Sequence, residues 1–325
     1  MSLTETSPPV IVPASKRLPP SIGASVAPWG FALLLAATSP FVPLLAQEAY
    51  RPLTFAEIAA LPTTPADHRI AYGADSLQFG ELRLPRGTGP FPTVVFIHGG
   101  CWLAQYDISH SRALAAAIAA EGYAVWSVEY RRLGNPGGGW PGTFHDVAHG
   151  TDFVRELARR FPLDTMRVAL VGHSAGGQFA LWLAGRHNLA KGSEFATAAP
   201  LRVRGVVSLE GVTDLRTFAT VKPDGCNAVV SRVMGGTPTE VPDRYAQLSP
   251  LELLPLGVPS RLLAGYLDKT VTMDQASSFA TKAHAKGDDA QRTLLEREGH
   301  FDVLAPAAPA WHHVIGAIRN LLEDY

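Results

Sequence analysis

The sequence predicts a single α/β domain with a mostly parallel sheet covered by helices on both faces, and three observations predict it. Short β-branched, nearly all-apolar runs recur along the chain, as strands buried on both faces require. Helix-length segments separate them, and this alternation implies right-handed crossovers between parallel strands. The 325 residues are 46% hydrophobic and 18% charged, which suits a globular core and excludes a disordered chain.

Each element follows in order. Two early strands are expected over 68–72 and 77–84, the second alternating apolar and polar residues. Residues 92–97, PTVVFI, form a buried strand, and the alanine-rich stretch 110–121 forms a helix closed by Gly122. A strand over 123–128 precedes a helix over 144–161 that carries Val147, Phe153, Val154 and Leu157 at helical spacing and ends before Pro162. Strands follow over 167–171, 203–209, 260–265 and 292–296. Helices are expected over 273–286 and 310–322, and 211–250 reads as irregular.

Residues 1–47 differ from the rest. Lys16 and Arg17 precede an uncharged run over 18–47 whose most apolar part is WGFALLLAA. A basic lead, a short apolar stretch and small residues describe a secretory signal, with cleavage expected after Ala46 and export to the periplasm or beyond. A membrane anchor or a disordered cytoplasmic tail are the alternatives. Pro40 and Pro43 shorten the helical stretch below the ~20 residues a span needs. The single domain is then 48–325, with a short cap-like insertion at about 212–250. The formal net charge is −1 and no basic stripe stands out, so nucleic acid is not an expected partner. Two cysteines are too few for a disulfide-rich scaffold or a four-thiolate zinc site.

The chemistry is concentrated at four strand ends. Gly172-His173-Ser174-Ala175-Gly176 places a serine between two glycines at a strand-to-helix bend. Such a bend crowds its neighbours, lifts the hydroxyl above the sheet and leaves the next N–H facing the site. Ser174 is therefore the expected nucleophile, and it needs a base. Among eleven histidines, His300 follows the last strand in EGHFD, whereas His284, His312 and His313 fall in helices and His173 is turned away by the bend. Asp268, directly after the strand over 260–265, is the expected orienting acid; Asp214 is the rival and Asp274 falls inside a helix. His98-Gly99-Gly100-Cys101-Trp102 follows the strand over 92–97, and its two glycines let backbone N–H groups converge. The expected oxyanion donors are the amides of Gly100, Cys101 and Ala175, with His98 orienting the loop.

With these motifs in this order, the chain resembles the α/β-hydrolase superfamily over about 91–304. More narrowly, it resembles the carboxylesterase branch with an H-G-G-x-W loop, which includes hormone-sensitive-lipase-like, feruloyl and acetylxylan esterases and kynurenine formamidases. Cys101 departs from the pattern, standing where many of these enzymes have a third glycine. The resemblance implies an α/β-hydrolase fold and a serine hydrolase that cleaves small carboxylic esters through an acyl-enzyme, without metal or cofactor. Hydrolysis of an N-formyl amide is the alternative reaction, and a hydrolase fold that only binds is the alternative of another class.

The substrate pocket is expected from the segment 212–250 with Trp102, Tyr106 and Trp140. Asp214 and Glu210 either line it or cap a helix. The glycine-rich LGNPGGGWPG over 133–142 lacks the G-K-[ST] of a phosphate loop. His145 and His149, four apart on one helix, lack the further ligands of a metal site. Cys101 and Cys226 read first as two separate thiols; in an exported protein a disulfide between them is the alternative. Oligomeric state is left open.

Overall fold

Residues 50–221 and 225–323 are described in the computed structural model of the chain; the signal-like segment lies outside them. Eight strands form one sheet: β1 (His68–Ala71), β2 (Phe79–Arg83), β3 (Phe91–Ile97), β4 (Ala124–Val128), β5 (Leu163–His173), β6 (Gly205–Leu209), β7 (Ser260–Gly265) and β8 (Ala290–Leu295). Their order is β1-β2-β4-β3-β5-β6-β7-β8. The β1–β2 and β2–β4 pairs are antiparallel, and every pair from β4 to β8 is parallel.

The period-two alternation of each strand divides the interior into two layers. On β3, Val94 and Phe96 face one core while Val95 and Ile97 face the other; on β5, Ala169 and Val171 oppose Val168 and Leu170. The helices are α1 (Phe55–Ala59), α2 (Arg112–Ala120), α3 (Gly142–Asp152), α4 (Val154–Leu157), α5 (Ala175–Gly185), α6 (Leu215–Thr220), α7 (Val230–Met234), α8 (Pro242–Leu248), α9 (Asp274–Ala285) and α10 (Trp311–Leu322). Apolar residues of α1, α2 and α10 cover the first face, and those of α3, α4, α5 and α9 the second. Phe144, Phe179 and Trp182 are fully buried on the second face, each contributing about 1.5–3 kcal/mol by leaving water.

Two expectations change. The segment over 211–250 is helical rather than irregular. Its helices α6, α7 and α8 are only five to seven residues long. Periodicity cannot reveal such short pieces, because they depend on caps and tertiary packing. Asp214 caps α6, Gly235 closes α7 with a left-handed φ of 68°, and Pro242 opens α8. Residues 54–60, left unassigned in the sequence, hold α1. Its Thr54–Glu57 capping box was the available signal: Thr54 N donates to Glu57 Oε2 at 2.8 Å and Glu57 N to Thr54 Oγ1 at 3.3 Å.

Because β3, β5, β6, β7 and β8 run the same way, the turns that follow them gather along one edge of the sheet. There lie residues 98–102, Ser174, Glu210, Asp268 and His300, the crevice where open α/β sheets place their ligands.

Candidate active site

Ser174 occupies a sharp bend between β5 and α5 with φ 55° and ψ −119°. A left-handed, non-glycine conformation of this kind costs about 1–3 kcal/mol and persists only when its surroundings over-determine it. Ser174 N donates to Leu209 O at 2.8 Å, and Ser174 O accepts from Gly177 N and Gln178 N. A Cβ at Gly172 would strike the carbonyl of Gly176, and one at Gly176 would strike the carbonyls of Ile97 and His98. Both positions must therefore be glycine for the first turn of α5 to nest against the strand ends.

Asp268 and His300 meet in a buried contact: His300 Nδ1 donates to Asp268 Oδ2 at 2.7 Å. The other oxygen, Asp268 Oδ1, accepts from Thr270 N at 2.6 Å and Val271 N at 3.0 Å, which locks the carboxylate in its turn. The His300 loop is fixed in its turn by Asp302, which accepts from Gly299 N at 2.7 Å, Leu53 N at 3.2 Å and Tyr50 Oη. With Nδ1 engaged, Nε2 of His300 is the nitrogen left for proton transfer. His300 and Ser174 line the same cavity, of about 400 Å³.

The loop after β3 passes through three successive left-handed residues: Gly100 (φ 113°), Cys101 (φ 51°) and Trp102 (φ 58°). A buried polar cluster holds it. His98 faces Gly99 O at 2.7 Å and Glu129 Oε1 at 3.0 Å and stacks on Tyr130, whose hydroxyl donates to His98 O at 2.8 Å. Glu129 also takes Ile108 N at 3.0 Å and pairs with Arg132. Among the described residues, the N–H groups of Gly100, Cys101 and Ala175 have no protein acceptor. Donors left free at the mouth of a site are what a developing oxyanion requires.

Cys101 and Cys226 are joined by a disulfide with Cα atoms 5.0 Å apart, so the expectation of two separate thiols is corrected. The fold brings the loop after β3 against the segment before α7, 125 residues further along the chain. The bridge ties a strained residue of the loop to the cavity wall.

The cavity lining departs from the pocket expectation at Trp102 and Trp140, while Asp214 takes its alternative place as a helix cap. Tyr106 does line the cavity. The indole of Trp102 is buried elsewhere, with Nε1 donating to Gln178 Oε1 at 3.2 Å. Trp140 packs edge-on against Phe195 at 5.0 Å and under the Arg244 guanidinium at 4.8 Å, outside the cavity. Asp214 caps α6, accepting from Arg216 N at 3.0 Å and Thr217 N at 3.4 Å, and is likewise absent from the lining. The expected segment 212–250 contributes Cys226 and Val229, and the remaining walls come from Phe55 of α1, His110 and Phe301, which the sequence did not point to as pocket residues. Burial pushes His110 down to about 4, so it is neutral near pH 7.

His173, expected to be turned away by the bend, is buried and borders the cavity beside Ser174. Its Nε2 donates to His300 O at 2.8 Å, tying the turn after β5 to the turn after β8. Burial holds its pKa well below the ordinary histidine range. His145 faces Glu194 at 3.3 Å and His149 packs on Tyr72 and Phe153, and no metal-holding group of three or more ligands occurs among the described residues. Asp146 on the same helix is buried and paired with Arg131 at 2.6 Å.

The BD-FAE family model matches residues 81–283. Esterase LipC of Mycobacterium tuberculosis is 27% identical over 256 residues, 76% of this chain, and the chain spans 63% of that protein's length. The crystal structure of esterase B from Lactobacillus rhamnosis superposes with a TM-score of 0.68 at 18% identity, covering 82% of this chain and 89% of that one. A truncated carbohydrate esterase from gut microbiota gives 0.67 at 19% identity, covering 80% and 99%. At such identities the two structures speak for the fold, an eight-stranded α/β-hydrolase sheet.

Proposed function

The chain belongs to the BD-FAE family of α/β-hydrolase esterases, and from that premise we propose that it cleaves small carboxylic esters through an acyl-enzyme on Ser174. The observation that carries the assignment is the 2.7 Å contact from His300 Nδ1 to Asp268 Oδ2, beside a serine held at a strained bend in the same cavity.

The geometry supports the following steps. His300 Nε2 takes the Ser174 proton as Oγ attacks the ester carbonyl, and Asp268 holds the resulting imidazolium. The amides of Gly100, Cys101 and Ala175 receive the oxyanion; one such donor is typically worth ~2.7–4 kcal/mol in the barrier. His300 returns its proton to the departing alkoxide, and water then cleaves the acyl-enzyme by the same steps in reverse. A cavity of about 400 Å³ walled by Phe55, Tyr106 and Phe301 suits a small, largely apolar group.

A fluorophosphonate should label the protein once per chain, and Ser174→Ala should abolish labelling while leaving the fold intact. Well-folded wild-type protein that takes no label overturns the mechanism. Hydrolysis of p-nitrophenyl acetate set against N-formylkynurenine separates the ester reading from the amide one.

Export is part of the proposal. It is supported by the uncharged run after Lys16 and Arg17 and by the Cys101–Cys226 bridge, which persists in oxidising compartments. Among the described residues no helix is long and apolar enough to cross a membrane. Cell fractionation that recovers the protein only from the cytoplasm overturns export.

A further inference from the structure

Glu210 directly follows β6, at the edge where the strands end, in a left-handed conformation with φ 49°. Its side chain is buried. Oε1 accepts from Gly265 N at 2.6 Å, which ties the end of β6 to the end of β7. Oε2 is different: it is buried with no N–H or O–H donor among the described residues, and the neighbouring side chain that acts on the carboxyl is the carboxylate of Asp268. Both Asp268 oxygens already accept, one from two backbone amides and the other from His300. Two ionised carboxylates cannot share such a site at tolerable cost. A buried oxygen that faces an acceptor is satisfied only if it carries a proton itself.

We propose that Glu210 is a neutral carboxylic acid whose Oε2–H donates to Asp268, making it a positioning residue that holds the orienting acid against His300. The proposal rests on the triad assigned above and adds a fourth member to it. The proton stays on Glu210 throughout the reaction. Asp268 is the acceptor in every contact: from the Glu210 hydroxyl, from the amides of Thr270 and Val271, and from His300 Nδ1. Burial first, and then the charge of Asp268, push the Glu210 carboxyl well above its ordinary value, in the same direction. The charged and titratable groups around it are Asp268 in the turn after β7, and His300 and Asp302 in the turn after β8. The backbone strain at Glu210 fits this role, since strained residues persist at functional sites where the fold aims a side chain.

Two substitutions separate the role from bulk packing. In Glu210→Gln the amide oxygen can still accept from Gly265 N while the amide N–H donates to Asp268, so kcat should stay within about 3-fold of wild type. In Glu210→Leu both contacts go, and kcat should fall at least about 10-fold with KM little changed, as loss of a charge-assisted hydrogen bond implies. Wild-type kcat in Glu210→Leu overturns the positioning role. A Glu210→Gln enzyme as impaired as Glu210→Leu, or one whose kcat/KM profile has its acid limb displaced, overturns the neutral state, because replacing a neutral acid changes no charge.

Thermal unfolding against pH provides a readout that needs no activity. A glutamic acid kept protonated in the fold but ionised in the unfolded chain weakens the wild type as pH rises above its ordinary value of 4.5. The Tm of Glu210→Gln should therefore gain steadily on wild type as pH rises from there. A gap constant with pH overturns the protonated state, even if Glu210→Leu fails to fold. The same measurement keeps the two readings apart: a wild type that takes no fluorophosphonate label sinks the serine mechanism but leaves the unfolding test of Glu210 intact.

Discussion

The edge of the sheet where the strands end and the walls of the cavity above it are built by different means. At the edge, Gly172 and Gly176 are demanded by backbone carbonyls, Ser174 is bent by main-chain hydrogen bonds, and His98, Glu129 and Arg132 form a buried polar cluster under the loop of 98–102. The walls are apolar side chains on short elements: Phe55 on the five-residue α1, Val229 just before α7 and Phe301 in the turn after β8. Phe55 meets Tyr106, His110 and Phe301 with ring centroids 5.1, 5.5 and 5.8 Å away. Polar geometry at the edge tolerates little change, whereas a wall of rings can be resized without disturbing the reacting groups. The reaction and its selectivity are therefore separable properties of this chain.

Breaking the edge should have the largest effect. Glu129→Gln weakens the hold on His98 and Arg132, and loss of a well-placed oxyanion amide should lower kcat by about 10²-fold with KM little affected. Steady-state kinetics on a p-nitrophenyl ester measures this, and an unchanged kcat would show that the loop needs no such support. The disulfide joins the two regions, so removing it tests how far they depend on each other. Cys226→Ser should cost about 2–5 kcal/mol of stability, read from denaturant unfolding, because the bridge closes a long loop. Its effect on kcat/KM should be smaller than that of Glu129→Gln, since the polar cluster still holds the loop; the reverse order would make the bridge the chief support of the oxyanion site. The smallest effect belongs to the wall. Phe55→Ala should enlarge the cavity and shift the kcat/KM ratio of octanoate over acetate esters upward by about 10-fold. Acetate turnover should stay near wild type, and an equal fall on both esters would place Phe55 in the machinery rather than the wall.

The residues at the edge were legible because each leaves a mark in one dimension. Ser174 needs glycines two residues to either side, His300 and Asp268 must directly follow strands, and the loop after β3 needs its paired glycines. Backbone sterics and strand order write these requirements into short contiguous stretches. The wall left no such mark. Trp102 and Trp140 were expected in the cavity because tryptophans near a site are natural candidates, yet a large ring goes wherever it is best buried, here against Gln178 and Phe195. Phe55, His110 and Phe301 reach one cavity from three distant places in the chain, which no local pattern announces. Nothing in the sequence around His173 announces that its ring nitrogen, by holding the His300 carbonyl, links two strand ends.

The sequence by itself determined the strands and the longer helices between them, the bend at Ser174 and the identity of the residues offered by each strand end, because these depend on local sterics and hydrophobic period. Only the tertiary structure decided that Cys101 meets Cys226, that Glu210 faces Asp268 and that α1 closes one side of the cavity. Those contacts join residues far apart in the chain, and their partners are chosen by the packing of the whole sheet rather than by any neighbour in sequence.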